Sequence, residues 1–317
     1  MANNAYSVSE TQIGLGVETV RGSAQPASVW IPVKAPKYKP DQTTIPDDTL
    51  QGSMVAVYNL TPGMRYDSHG WDSYVYTDAS EALLLGEFGY GAGGVYSLLN
   101  NLDGTGNQPP SLTLYDFDGE ETRIITAAQV DELSFKGNGT GYVDYTCTFF
   151  GNPATTSPGP PSPSASFLSA RPVPGWNAEI SIAGTPLNYV LDWSFDFKRG
   201  VKPIPALTGT RAYFMYFAGP LQATGKLTVV EQSGAPELVQ YLSGTQESFD
   251  FTLSSYTSGG SINFHSTKAE FTTGELDRSK VEEVEAVLDF TCLPTTTDAT
   301  AGGVSPCLIT VVTGSSA

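Results

Sequence analysis

Chemistry-bearing side chains are scarce in this chain. Histidine occurs only at His69 and His265, whereas metal centres and nucleophile–base pairs usually draw on more. The three cysteines, Cys147, Cys292 and Cys307, form no close pair and no metal-ligand spacing, and their odd number argues against a disulfide framework. Cys147 and Cys292 sit among alternating apolar residues and read as buried small hydrophobes. No apolar run is long enough for a membrane helix, and MANNAYSVSETQIG lacks the basic region and apolar block of a signal peptide, so a cytosolic start is expected. Basic residues are also few: 16 Lys and Arg against 33 Asp and Glu leave a formal net charge of -17 over 317 residues. A surface that acidic repels a phosphate backbone and excludes ordinary nucleic-acid binding through phosphate neutralisation.

The motifs that suggest catalysis or cofactors fail on context. Gly89-Tyr90-Gly91-Ala92-Gly93-Gly94 has the spacing of a dinucleotide-binding loop, but it follows a helix signal instead of a strand and opens no helix. Asp116-Phe117-Asp118-Gly119 hints at a calcium loop, yet Ala127 stands where the bidentate Glu would fall. The neighbouring acids Asp47-Asp48, Glu120-Glu121 and Glu282-Glu283 would point to opposite faces of a strand and cannot work as acid–base pairs. No catalytic residue, metal site or cofactor is assigned.

Alternation of apolar and polar residues is abundant. In YVLDWSFDFK, Tyr189 to Lys198, Leu191, Trp193, Phe195 and Phe197 alternate with Asp192, Ser194, Asp196 and Lys198, the pattern of a strand with one aromatic and one charged face. ESFDFTLSS repeats it, with Phe249 and Phe251 flanking Asp250. Leu191, Trp193, Phe195, Phe197, Phe249 and Phe251 are therefore the candidate core. Asp192, Asp196 and Asp250 face either ordinary solvent or the wall of a channel.

Further strands are expected at SMVAVYNL and YDSHGWDSYVY on either side of a Thr61-Pro62-Gly63 turn, then at SLTLYDF, TRIIT, VDELSFK, YVDYTCTFF, AEISIAG, KLTVVE, INFHSTKAEF, VEAVLDFTCL and CLITVV. Asp78-Ala79-Ser80-Glu81 is a capping-box pattern opening a short helix over about 78–88, which Gly86 or Gly89 can end. A second short helix fits 235–242.

Prolines at Pro26, Pro32, Pro36, Pro40 and Pro46 mark residues 1–46 as an extended N-terminal arm. Up to Lys39 this arm is mildly basic, with Arg21, Lys34, Lys37 and Lys39 against Glu10 and Glu18. It either reaches a neighbouring acidic copy or folds back on its own domain. Residues 155–166, rich in Pro and Ser, make a linker or a surface loop. Half a dozen strands on each side favour one β-sandwich over 47–298, followed by a C-terminal extension over 299–317.

The order of these elements resembles the tail tube proteins of phages with long, non-contractile tails, particularly those infecting actinobacteria. The resemblance begins with IGLGVETVRGSAQPASVWIPVKAPKYKPD, in which Gly16, Glu18, Gly22, Ala24, Pro26 and Ile31-Pro32-Val33 occupy the family's positions, and continues with IPDDTLQGS. It runs on through SLTLYDF, VDELSFKGNGTGYVDYTCTFFG, AEISIAG, YVLDWSFDFKRG and VEEVEAVLDFTCL.

The resemblance implies a mainly β fold: two packed antiparallel sheets in a sandwich or half-barrel, with a short flanking helix and extended arms. It also implies a structural, non-enzymatic virion protein, assembled in the host cytoplasm as stacked hexameric rings. Its partners would be further copies, a tape-measure protein, a tail terminator and a distal tail protein. DNA would pass as a non-adhering cargo, since six copies carry roughly -100 charges per ring. The residues by themselves also admit a carbohydrate-binding or adhesive β-sandwich, suggested by the Tyr and Trp content and the acidic turns.

Overall fold

The computed structural model describes residues 10–314 apart from 50, 51, 53, 100–107, 163–170, 208, 233–235, 257, 258, 279–283 and 301. Most of the 100–110 loop, the 163–166 end of the Pro-rich stretch and the Glu282-Glu283 pair lie outside the described residues. In chain order the described strands are β1 (Gln12–Val17), β2 (Val29–Ile31), β3 (Lys37–Asp47), β4 (Asn59–Tyr74), β5 (Gly89–Ala92), β6 (Val95–Leu98), β7 (Leu112–Phe117), β8 (Glu121–Asn138), β9 (Asp144–Gly151) and β10 (Thr155–Pro158). There follow β11 (Ala178–Ile182), β12 (Thr185–Pro186), β13 (Val190–Lys198), β14 (Lys202–Ile204), β15 (Met215–Phe217), β16 (Gln222–Val230), β17 (Glu247–Ser254), β18 (Ser261–Asp277), β19 (Glu285–Cys292) and β20 (Leu308–Val312). Helix α1 (Glu81–Phe88) precedes β5 and helix α2 (Pro236–Ser243) precedes β17.

The pairing among these described strands is antiparallel, and it builds two packed layers. The first runs β3-β4-β9-β8-β13-β16-β19. Strand β18 pairs with β19 through its second half, then continues into the second layer, where its first half lies between β17 and β20. That layer extends to β11 and β12 on one side and to β6 and β5 on the other.

Strand β8 performs a similar crossing. Its first half pairs with β7 and β10 in a smaller sheet that also holds β1 and β2, and its second half pairs with β9 and β13. The break falls at Ala127, a non-glycine residue at φ 53. Such a conformation is uncommon for a side-chain-bearing residue and persists only where surroundings hold it.

An aromatic stack fills the space between layers. Phe264 on β18 lies 5.1 Å from Phe135, 5.5 Å from Phe195, 5.9 Å from Phe197 and 5.8 Å from Phe251, measured between ring centres. Trp193 meets Phe251 at 4.1 Å and Phe249 meets Phe290 at 4.5 Å. Trp193, Phe195, Phe197, Phe249 and Phe251 are all buried. Leu191 is the exception within the candidate core. A register break between Val190 and Asp192 leaves it at a bulge, half-buried, because strict alternation ends where the ladder slips by one residue.

The N-terminal region is divided between two uses. Ile13 and Leu15 on β1 are wholly buried, with β1 paired to β2 and β7. Their alternation with Gly14 and Gly16 conceals the strand in the sequence, and a Cβ on Gly14 would come within 2.7 Å of the Trp30 ring. Only β3 extends outward, as an edge strand, which tolerates Pro40 and Pro46 because half its backbone donors face solvent. The turn expected at Thr61-Pro62-Gly63 is absent. Strand β4 runs through it, opposite a break in register between Gln42 and Thr44, and the chain reverses between Asp47 and Asn59 instead.

At the other terminus, the expected extension over 299–317 contributes β20, with Cys307 and Ile309 buried. All three cysteines are free and buried. Helix α1 begins after Ser80, whose hydroxyl bonds the Thr77 carbonyl and makes no side-chain cap, and ends at Gly89 with φ 87.

Truncating Phe264 would open a void facing four rings at once. Phe264→Ala is expected to lower the unfolding free energy by about 3–5 kcal/mol, measured by denaturant titration.

Candidate assembly surfaces

Since the aromatic rows point inward, the intervening residues of the first layer form a broad polar face. Cross-strand rows define it: Asp72, Thr146, Ser134, Asp196, Thr224 and Thr291 make one, and Tyr74, Asp144, Lys136, Ser194, Lys226 and Asp289 the next. Acids and lysines are interleaved and bonded. Lys198 meets Glu132 at 2.9 Å, Asp196 accepts from the Ser134 hydroxyl, and Asp72 accepts from Thr146 at 2.7 Å. Asp192 is exposed.

Asp250 sits elsewhere. It lies on the outer side of the second layer, bonded to His265 Nδ1 at 2.7 Å, because Phe249 and Phe251 on either side of it enter the core from that layer. The three acids grouped by sequence are thus divided between opposite faces of the sandwich, and a single wall cannot carry them all.

Three of the four basic residues of the N-terminal region have partners within the chain. Arg21 Nη1 donates to the Tyr216 carbonyl at 2.9 Å, and Lys34 bonds Asp144 beneath the Tyr74 ring. Lys39 pairs with Asp41. Lys37 is exposed, and register with Gly70 puts it on the same polar face.

The two ends of the first layer are unlike. At one end the β3–β4 hairpin projects beyond β9, whose last pair is Asp67 with Gly151. Asn59 to Tyr66 continue past it, roughly 27 Å at the rise of a strand. Its root is stiffened by buried Asp67, which accepts from Tyr38 Oη at 2.5 Å, Arg65 Nε at 3.0 Å and the Ala154 amide at 2.7 Å. Burial together with this carboxylate raises the Tyr38 pKa to about 12. The segment between β14 and β15 braces the hairpin further out, through Arg211 Nε to the Gly63 carbonyl at 2.9 Å. Beyond that point Ile45, Met54, Val55, Val57 and Leu60 are exposed, Met54 completely. Leu207, Phe214 and Phe217 are exposed on the brace.

At the opposite end, marked by Asn138 on β8 and Val190 on β13, a groove of about 690 Å³ opens between the 138–141 turn, the 3₁₀ turn Gly175–Asn177 and the 183–188 turn. Trp176 stands at its rim, 59% exposed, edge-to-face with exposed Tyr256 at 5.5 Å. Its turn is tightly seated, because a Cβ on Gly175 would fall 1.9 Å from the Asn138 carbonyl. The brace around β14 and β15 carried no signal that periodicity could detect.

Two buried charged groups hold the frame. Glu18 accepts from the Gly22 amide at 2.6 Å, Ser111 Oγ at 2.5 Å, Thr113 Oγ1 at 3.0 Å and the Ala127 amide at 2.9 Å. Arg199 is buried against the end of α1 and donates Nε to the Glu87 carbonyl at 2.6 Å and Nη2 to that of Phe88 at 3.3 Å, a cation where the helix dipole is negative. Among the described residues the Glu87 carboxyl has no hydrogen-bond partner, and burial raises its pKa to about 8 despite Arg199 nearby. His69 is a buried strand residue 3.2 Å from Asp116. Among the described residues no group of three or more His, Cys, Asp or Glu is gathered as a metal site would be.

Polar outer faces, a closed aromatic core and contrasting ends define a β-sandwich protein. The family is shown by comparison: the model of the phage tail tube protein family matches residues 9–305, nearly the whole chain, and the chain belongs to that family. It is accordingly a component of the phage tail that assembles with itself into a tube. No curated protein matches it.

Two consequences concern the buried acids. Glu87 is neutral in the fold up to about pH 8 but would ionise near its ordinary value of 4.5 once exposed. The folded state therefore holds the extra proton between those values, and stability falls as pH rises through that window. Glu87→Gln is expected to remove up to about 4 kcal/mol of that decline, read as the difference between variant and parent unfolding free energies from pH 5 to 8. Glu18→Ala strands buried donors and is expected to cost about 2–4 kcal/mol by the same measurement.

Proposed function

We propose that this chain is the major tube subunit of a long, non-contractile tail, stacked as hexameric rings around a channel lined by the polar face of the first layer. The observation that carries this reading is the chemistry of that face. It is broad, backed by a rigid aromatic core, and covered with small hydroxyls and bonded charges, with acids in excess of lysines. Such a wall offers a phosphate backbone few free cations to bind, and the net charge of -17 on each copy adds repulsion.

Assembly would occur in the host cytoplasm around a tape-measure protein, ended by tail terminator and distal tail proteins, with DNA passing later as cargo. The subunit works by shape and charge and catalyses nothing. Its exposed β3 edge and projecting hairpin suit a heterologous interface, which extends or closes a ring by consuming free edges.

Electron microscopy of the purified chain, or of virions carrying it, is expected to show rings or tubes with a central channel. Monomers alone in mature particles would refute the proposal. For the lining, D192K/D196K is expected to leave tubes intact while slowing or blocking DNA delivery. Unchanged delivery would place that face on the exterior.

A further inference from the structure

We infer that the groove beside Trp176 is a binding site for a neutral saccharide chain, a function separate from tube building. At about 690 Å³ the groove has the size of a small-ligand cleft, and it opens between the layers, where β11 and the 183–188 turn of the second face the start of β13 in the first. Buried Ile180 and Trp193 belong to its lining and give it a firm base.

Trp176 supplies the recognition surface. It is 59% exposed, yet the turn that carries it is tied on both sides: the Gly175 amide donates to the Gly141 carbonyl at 2.8 Å, and Asn177 Nδ2 donates to the Ser254 carbonyl at 2.9 Å. Tyr256, outside the groove lining, meets the Trp176 ring edge-to-face at 5.5 Å and supports it. An indole face carries negative charge density, and a preset one attracts the weakly positive C–H groups that line one side of a pyranose ring. Because the ring is fixed beforehand, little conformational entropy is lost on stacking.

The polar lining adds hydrogen-bonding capacity. Asn138 Oδ1 is occupied by the Thr140 amide and hydroxyl and by the Gly141 amide, which leaves Nδ2 as a donor. Among the described residues the side chains of Glu179, Ser181 and Asn188 have no hydrogen-bond partner, and all three line the groove. Donors and acceptors are both on offer, and a sugar hydroxyl satisfies either kind. An apolar peptide in the same place would leave these groups unpaired.

Charge narrows the ligand class. The lining holds Glu179 and Asp250 and no lysine or arginine, so an anionic polymer is repelled. Asp250 is already bonded to His265 Nδ1 at 2.7 Å, and one remaining exposed carboxylate is too weak a partner to hold a polyamine. A neutral chain fits both conditions, with Glu179 accepting from its hydroxyls while Trp176 stacks on a ring.

The test titrates the unassembled full-length chain with maltotriose, cellotriose, mannotriose and triacetylchitotriose, and with spermidine as a cationic control. Trp30, Trp71 and Trp193 are buried, so acrylamide quenching reports mainly on Trp176. At least one of the four saccharides is expected to protect Trp176 saturably, with little dependence on salt. Trp176→Ala is expected to weaken that binding at least about tenfold by calorimetry, with Trp176→Tyr restoring most of it. Glu179→Ala is expected to weaken it about tenfold. Absence of binding by all four saccharides overturns the site, as does binding that Trp176→Ala leaves unchanged. Salt-sensitive binding of spermidine alone overturns the ligand class. None of these outcomes bears on whether the chain forms tubes.

Discussion

The structure depends on one strand belonging to two sheets. Strand β8 is long enough to pair with β7 and β10 at its start and with β9 and β13 at its end, and the change of partners forces a kink at Ala127. Without glycine at that point, the left-handed backbone must be held from outside. Glu18 does this, since the same carboxylate that takes the Ala127 amide also binds β7 and the loop after β1. A single buried charge thereby links the N-terminal strand, the smaller sheet and the bend of the central strand. Burying a carboxylate is costly unless its acceptor sites are filled, and here four donors fill them.

Strand β18 repeats the device at the other side of the sandwich, leaving β19 and entering the second layer. Two shared strands turn what would be separate sheets into one wrapped body around the Phe264 stack. Rigidity of this kind suits a tube subunit. The wall must keep its curvature over many repeats, and a close-packed aromatic core resists the small distortions that would accumulate along it.

The polar face modifies the picture of an acidic channel. Asp196, Asp72 and Asp144 do not stand free but are bonded to Ser134, Thr146 and Lys34, and Lys198 is matched to Glu132. Most of that face is hydroxyl and paired charge, so in the proposed channel weak adhesion would come from satisfied polar groups as much as from repulsion. Contrast between the ends of the layer, hairpin at one and aromatic-rimmed groove at the other, supplies polarity to the subunit.

Much of this was legible in the residues, because side-chain direction along a strand is a local property. The alternation of Trp193, Phe195 and Phe197 with Asp192, Ser194 and Asp196 determined which residues enter the core, and Phe249 and Phe251 followed the same rule. Spacing and residue type along the whole chain were enough to indicate the tail tube family. Only the tertiary structure decided that Asp250 faces away from Asp192, that Leu191 leaves the ladder at a bulge, and that Gln12–Val17 and Leu308–Val312 close the body. Those outcomes depend on which distant strands pair and in what register, and the period of two along a single strand contains no information about its neighbours.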